Sequence, residues 1–339
     1  MPSRKLAPTA LLSAALLTAL TACGSADKET KTDTVAQSTD GKVAVGAFSG
    51  GAAKPTTLEV EPVEELRAQL PKAVRDKGEL VIAVGALPTG YPPLSFVGDD
   101  HSTLTGNEPD LGRLVAATLG LKPVVKNSTW ENVFVGLDSG RVDVAFTNVT
   151  VTEERKRRYD FATYRKDNLV FEVRAGNTWN FDQKAPAESL AGRTVAVSRG
   201  TNQEKILLEW QKELQAKGKD ITIKYFPDLN STYLALDGGR IDILLGPGPA
   251  LAHHVANTKN TPKATRVAGE YSGAGASLQG LIGAATKKDG GLVKPVAGAL
   301  EHLQKNGQYA KLLETWSLGG EAVPKVEINP PGLPLPPTS

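Results

Sequence analysis

The chain has 339 residues, a formal net charge of +2 from 39 basic and 37 acidic side chains, and a single cysteine. So even a balance excludes the broad basic footprint that nucleic acid demands, and one cysteine excludes an intramolecular disulfide. The length suffices for two lobes, each with its own core.

At the N-terminus, Arg4 and Lys5 precede an uncharged run over residues 6–20. This is the pattern of an export signal, and it is too short to span a bilayer comfortably. It ends in Leu20-Thr21-Ala22-Cys23-Gly24, which resembles the lipobox of bacterial lipoproteins. The resemblance implies cleavage of residues 1–22 as a lipoprotein signal peptide and a diacylglyceryl group on Cys23. At ~0.8 kcal/mol per buried methylene, two acyl chains hold far more firmly than one. The alternative is an ordinary signal followed by a chance cysteine. Cleavage removes Arg4 and Lys5 and leaves 37 basic residues against 37 acidic ones. No later stretch supplies the roughly 18 consecutive apolar residues of a spanning helix, so the lipid is the one membrane contact expected.

Residues 24–57 are rich in small and polar side chains and too poor in large apolar groups to fold alone, so residues 23–57 are expected to form the lipid anchor and a flexible tether. Beyond them, short β-rich runs alternate with helical patterns. The order is strand over 79–85, helix over 110–119, strand over 123–126, helix over 130–138 and strand over 142–146. It then restarts, with strand over 193–198, helix over 201–214, strand over 221–226, helix over 231–237 and strand over 241–245. A strand-like run over 278–286 and helical patterns over 292–305 and 308–316 follow. The segment 329–337 lacks the amide donors of a helix or inner strand, so residues 320–339 are expected to be an extended Pro-rich tail.

The octapeptides starting at Leu137 (LDSGRVDV) and Leu236 (LDGGRIDI) share one signature, a helix end turning into a strand. Gly140 and Gly239 suit the left-handed cap that closes a helix. A pseudo-repeat of about one hundred residues implies an α/β protein of two similar lobes with mostly parallel sheets. In open α/β sheets ligands bind beyond the carboxyl ends of the strands, which predicts a cleft site between the lobes.

Several motifs then combine: Tyr91-Pro92-Pro93-Leu94-Ser95-Phe96, Gly106 with Asp110-Leu111, Trp130, the run TNVTVTEER over 147–155, Tyr159-Asp160-Phe161, and Gly200-Thr201-Asn202-Gln203-Glu204. Over about residues 78–317 this set resembles the extracytoplasmic solute-binding proteins of polar amino acid ABC importers. The resemblance implies a periplasmic-binding-protein type 2 fold. Lobe I would comprise residues 78–165 plus 280–317 and lobe II residues 166–279, with hinge crossovers near 164–169 and 277–282. It also implies a monomer without cofactor or metal, held at the extracytoplasmic face of the cell membrane by its lipid, that delivers a small carboxylate-bearing solute to ABC permease subunits.

Arg155 follows Thr152, a candidate helix cap, and a guanidinium offers a carboxylate a rigid fork. Taken alone, it is as readily a surface arginine in the charge run 153–158; the resemblance makes it the carboxylate-binding residue, with Thr150 as a second contact and Asn148 facing the ligand. Thr201 and Glu204 read as a capping box, by itself only a helix start. The resemblance adds that this turn, with Ser198 and Arg199, closes over the same carboxylate. Tyr91 and Trp130 match positions that sandwich the ligand side chain, although Trp130 also fits a plain core residue.

One departure concerns the ligand amine. Relatives usually place an Asp in the loop after the second lobe's GRID strand, and here that position is Pro247. A buried ammonium without a partner costs several kcal/mol, roughly, so an amino acid needs another acceptor, and an organic acid or N-substituted ligand is the competing expectation. A dehydratase-like enzyme on the same fold is disfavoured by the lack of an acid at Pro247, and a sensor domain by the lack of a spanning helix. His101, His253, His254 and His302 show no metal-ligand spacing and are expected at the surface.

Overall fold

The computed structural model describes residues 41–336, so the export signal, Cys23 and the first part of the expected tether lie outside the described residues. The described part of the segment expected as tether is ordered. Lys42–Val45 (β1) pairs antiparallel with Thr56–Glu59 (β2), and Val43, Val45, Leu58 and Val60 are buried in the first lobe's core. The tether expectation is therefore corrected for residues 42–57. A composition poor in apolar residues hides an alternation that puts Val43 and Val45 on one strand face.

Two short helices, Glu64–Ala68 (α1) and Lys72–Lys77 (α2), lead into Glu79–Val84 (β3). Leu80, Ile82 and Val84 enter one core cluster and Val81 and Ala83 another, so both faces are covered and the apolar run is continuous. A hairpin of Phe96–Val97 (β4) and Leu104–Thr105 (β5) precedes Asn107–Thr118 (α3), Lys122–Asn127 (β6), Trp130–Ser139 (α4) and the short Val144–Ala145 (β7). Tyr159–Arg174 (β8), 16 residues long, then leaves lobe I and enters lobe II.

Lobe II repeats the plan with Pro186–Ser189 (α5), Thr194–Ala196 (β9), Asn202–Gln215 (α6), Thr222–Lys224 (β10), Leu229–Asp237 (α7), Ile243–Pro247 (β11), Gly248–Thr258 (α8) and Thr265–Ser272 (β12). Gly280–Lys287 (β13) returns to lobe I, followed by Val293–Lys305 (α9) and Gln308–Thr315 (α10). The helical patterns after residue 290 thus join lobe I, where Val296, Leu300, Leu303, Leu312 and Trp316 are buried with α3. Gly140 and Gly239 adopt φ of 70° and 66°, as the pseudo-repeat requires.

Nine of the strands form one sheet in the order β10-β9-β11-β8-β13-β7-β3-β6, with β12 also on β8, while β1-β2 and β4-β5 are separate two-stranded pairs. In each lobe three strands run parallel, β6-β3-β7 and β10-β9-β11, while β8, β12 and β13 join antiparallel. The sheet is mixed, because the strands that link the lobes run against those that build them. β8 pairs with β13 as far as Asp167 and with β12 from Asn168 onward, so this single strand carries the first lobe-to-lobe connection.

The Pro-rich end is docked. The Asn329 side chain accepts from the Phe161 amide (2.8 Å) and donates to Asp160 (2.9 Å), and the Gly332 amide donates to Glu153 (3.0 Å). Leu333 donates its amide to Val151 O (3.1 Å), yet its side chain is buried in a lobe II cluster. The few residues between prolines supply the donors that proline lacks. Among the described residues no helix is long and apolar enough to cross a membrane.

Candidate functional site

The carboxyl ends of the parallel strands of both lobes face one another across a cavity of about 500 Å³. Lobe I supplies the loop after β3 (Gly85 to Ser95), the start of α4 after β6 (Thr129, Trp130, Glu131) and Thr147 and Asn148 after β7. Lobe II supplies the turn after β9 (Val197 to Gln203), the loop after β10 (Tyr225 to Leu229) and the end of β11 (Leu244 to Pro247). The volume suits a small molecule.

The lobes are closed on each other. Trp130 Nε1 donates to Gly200 O (3.2 Å), the Tyr91 hydroxyl lies 3.4 Å from Ser198 Oγ, and Lys205 pairs with Glu154. Burial is the largest cause of a raised Tyr91 pKa, the Ser198 bond opposes it, and the charges of Glu131 and Asp228 add to it. Lobe II's turn is fixed by the expected cap: Thr201 Oγ1 accepts from the Glu204 amide (3.2 Å) and donates to Ser198 O (2.7 Å). Glu204 reaches back to the Gly200 amide (2.6 Å), one residue earlier than a standard capping box.

Five of the seven predicted ligand residues, Tyr91, Trp130, Asn148, Ser198 and Thr201, line the cavity, and Thr150 and Arg155 do not. Arg155 is buried behind the wall, with Nη1 donating to Thr150 O (2.9 Å) and Nη2 to Gly200 O (3.2 Å). Its guanidinium carbon lies 5.1 Å from the centroid of the Trp130 ring and 5.6 Å from that of Phe134. Burial lowers its pKa to about 10, against the pull of Asp167. Thr152 does cap it, accepting from the Arg155 amide (3.0 Å). The expected helix is corrected, however, to one 3₁₀ turn over Arg155–Arg157, because β8 begins at Tyr159. So short a turn gathers no helix dipole to share an anion.

Thr150 is turned toward the hinge, its hydroxyl 2.8 Å from Asp167 Oδ2 and 2.9 Å from Asn202 Oδ1. Asn148 adopts φ 53°, a left-handed conformation that Asn tolerates better than most residues, and its Oδ1 accepts from Arg165 (2.5 Å). Arg165 is fully buried and also pairs with Glu108 (2.7 Å) and Glu321.

Sequence reasoning missed three acids of the wall, Glu108, Glu131 and Asp228. Asp228 was detectable as an N-cap, since it precedes an apolar-periodic run and accepts from the Ser231 amide (2.7 Å). His254, expected at the surface, is instead stacked on Tyr233 (3.5 Å between centroids) and bonded to the buried Glu172 (2.5 Å).

Two lobes on a shared hinge strand, closed over a polar-rimmed cavity at their strand ends, define a cleft-binding protein for a small solute. Residues 82–319 match the bacterial extracellular solute-binding proteins, family 3, and the chain belongs to that family. It is 32% identical over 244 residues to an L-cystine-binding protein of Escherichia coli K12, covering 72% of this chain and 84% of the relative. An arginine-binding protein of Corynebacterium glutamicum is 28% identical over 271 residues, 79% of this chain and 84% of that one. An ancestral arginine-binding protein solved with arginine bound superimposes with a TM-score of 0.60 at 26% identity, over 70% of this chain and 98% of the other.

Proposed function

We propose that the protein captures an amino acid outside the cytoplasm and hands it to the permease of an ABC importer, held at the membrane by a lipid on Cys23. The closed cavity between the strand ends of the two lobes carries this reading, supported by relatives named for binding cystine and arginine. Arg155 and Thr150 hold the closed wall in place, and the ligand carboxylate meets the N-terminus of α6. There the amides of Asn202 and Gln203 have no intrahelical acceptor, and Arg199 stands in the same turn.

Binding is favoured over catalysis because the relatives are binding proteins. The lack of an acid at Pro247 does not decide the matter, since Glu131 and Asp228 line the cavity. A thermal-shift panel of amino acids and their deaminated acids tests the reading. Stabilisation by an amino acid, and less by its deaminated counterpart, is expected; stabilisation by organic acids alone would refute it. A Cys23→Ala chain still found in the membrane fraction would remove the lipid anchor from the account.

A further inference from the structure

The C-terminal segment runs along one lobe and buries a side chain in the other. It starts at the edge of the family-matched residues 82–319, in the turn Gly319–Glu321 that follows α10. There Glu321 pairs with the buried Arg165 of β8, and Arg165 also holds Asn148 in the cavity wall (2.5 Å). Val323 is buried in the lobe I core, and its amide donates to the Tyr309 hydroxyl (3.0 Å). The chain then lies against β8. The Glu327 amide donates to Thr163 Oγ1 (2.8 Å), the Glu327 carbonyl accepts from the Thr163 amide (3.0 Å), and Ile328 bridges antiparallel to Ala162. Asn329 turns the chain at φ 50°, and Lys156 Nζ donates to Pro330 O (2.9 Å). Leu333 continues parallel to Thr152, its carbonyl accepting from the Glu153 amide (2.9 Å).

Each of these bonds is made to lobe I. The Leu333 side chain, 6% exposed, is nevertheless buried among apolar side chains of lobe II. The stretch of lobe I that holds Leu333, residues 150–155, carries three further contacts to lobe II: Thr150 with Asn202, Arg155 with Gly200 O, and Glu154 with Lys205. A backbone fastened to lobe I moves with lobe I. When the lobes part, the Leu333 side chain leaves the lobe II cluster and both meet water. Burial of that apolar surface accompanies closure and favours it. A ligand enclosed only in the closed form shares that gain, because its apparent affinity scales with the population of the competent state. None of residues 320–336 lines the cavity, so the segment acts on a ligand through the lobes alone.

We infer that residues 321–333 form a strap from the hinge strand to lobe II, and that Leu333 is a positioning residue that favours the closed form and slows ligand release. The effect on release rests on the amino acid reading above; the effect on closure does not.

Leu333→Ala and Val323→Ala, each in the full chain, separate closure from folding, since both lose buried methyl groups but Val323 packs in the lobe I core. Small-angle scattering of the ligand-free chain reads closure, stopped-flow dissociation of L-arginine and L-cystine reads release, and thermal melts read stability. Leu333→Ala is expected to scatter as a more open particle and to release the bound amino acid about tenfold faster, whereas Val323→Ala melts earlier without either change. Scattering and release in Leu333→Ala that match the wild type overturn the strap, as do the same changes appearing in Val323→Ala. If neither amino acid binds any of the three chains, the amino acid reading fails; the strap is then overturned by a Leu333→Ala particle no more open than the wild type.

Discussion

The Thr150 hydroxyl lies 2.8 Å from the Asp167 carboxylate, joining lobe I to the strand that crosses between the lobes. Asn202, from lobe II, donates Nδ2 to the same oxygen (3.0 Å) and to Gly273 O (2.9 Å). The single hydroxyl proton of Thr150 goes to the charged acceptor, while Asn202 Oδ1 at 2.9 Å competes for it. Gly273 makes room, since a Cβ there would stand 1.7 Å from Asp167 Oδ2. Thr150, Asp167 and Asn202 thus tie side chains of both lobes to the strand that crosses between them.

Asp167→Ala should weaken this knot, because it leaves buried donors on Asn202 without their acceptor. We expect a loss of about 1–3 kcal/mol of stability, read by chemical denaturation, and a more open ligand-free form, read by small-angle scattering. Unchanged melting and scattering would show that the knot does not hold the lobes.

The same carboxyl group predicts a pH dependence. Burial raises the Asp167 pKa above 3.8, against the bonds from Thr150 and Asn202 and the charge of Arg165. A carboxyl whose native pKa is raised binds its proton more tightly when folded. Its contribution is fully present below the unfolded value and declines as pH rises through the native one. The stability difference between wild type and Asp167→Asn should therefore shift against the wild type as pH rises from about 4 through that window. Parallel pH curves for the two chains would contradict the assignment.

Arg155→Ala removes the donor to both Thr150 O and Gly200 O. The expected cost is about 1.5–3 kcal/mol of ligand affinity, because the hydrogen bonds of a charged donor are lost from the lobe contact. Arg155→Lys, which keeps the charge without the fork, should recover only part of it. Unchanged binding by calorimetry in the alanine variant would show that Arg155 does not hold the wall in place.

The docked tail gives a fourth expectation. A Cβ on Gly332 would stand 2.3 Å from Val151 O, a backbone atom that cannot yield cheaply, so Gly332→Ala should lower the melting temperature. Leu333→Asp buries a charge in lobe II and should destabilise by more than about 2 kcal/mol. Rapid amide exchange at Leu333 in the wild type would contradict the docking.

Much of this was legible in the sequence where the local signal and the global fold agree. β3 follows from its continuous apolar run, α4 from its helical apolar pattern and α6 from the cap Thr201, and the paired LD-G-R motifs mark the repeat because Gly140 and Gly239 must take left-handed φ. The hinge knot was not legible, because Thr150, Asp167 and Asn202 lie up to 52 residues apart and meet only on closure. The orientation of Arg155 escaped for the same reason, since its partner Gly200 belongs to the other lobe. The docking of the tail was not legible in its composition, since proline forbids a ladder but not the few bonds that Asn329, Gly332 and Leu333 make.

Native mass spectrometry of the purified full chain is the most direct test of the central claim, that one small amino acid is enclosed between the lobes. The account predicts a single adduct of amino acid mass that is lost on unfolding. A ligand-free protein that gains no such adduct when incubated with arginine, lysine and cystine would contradict it.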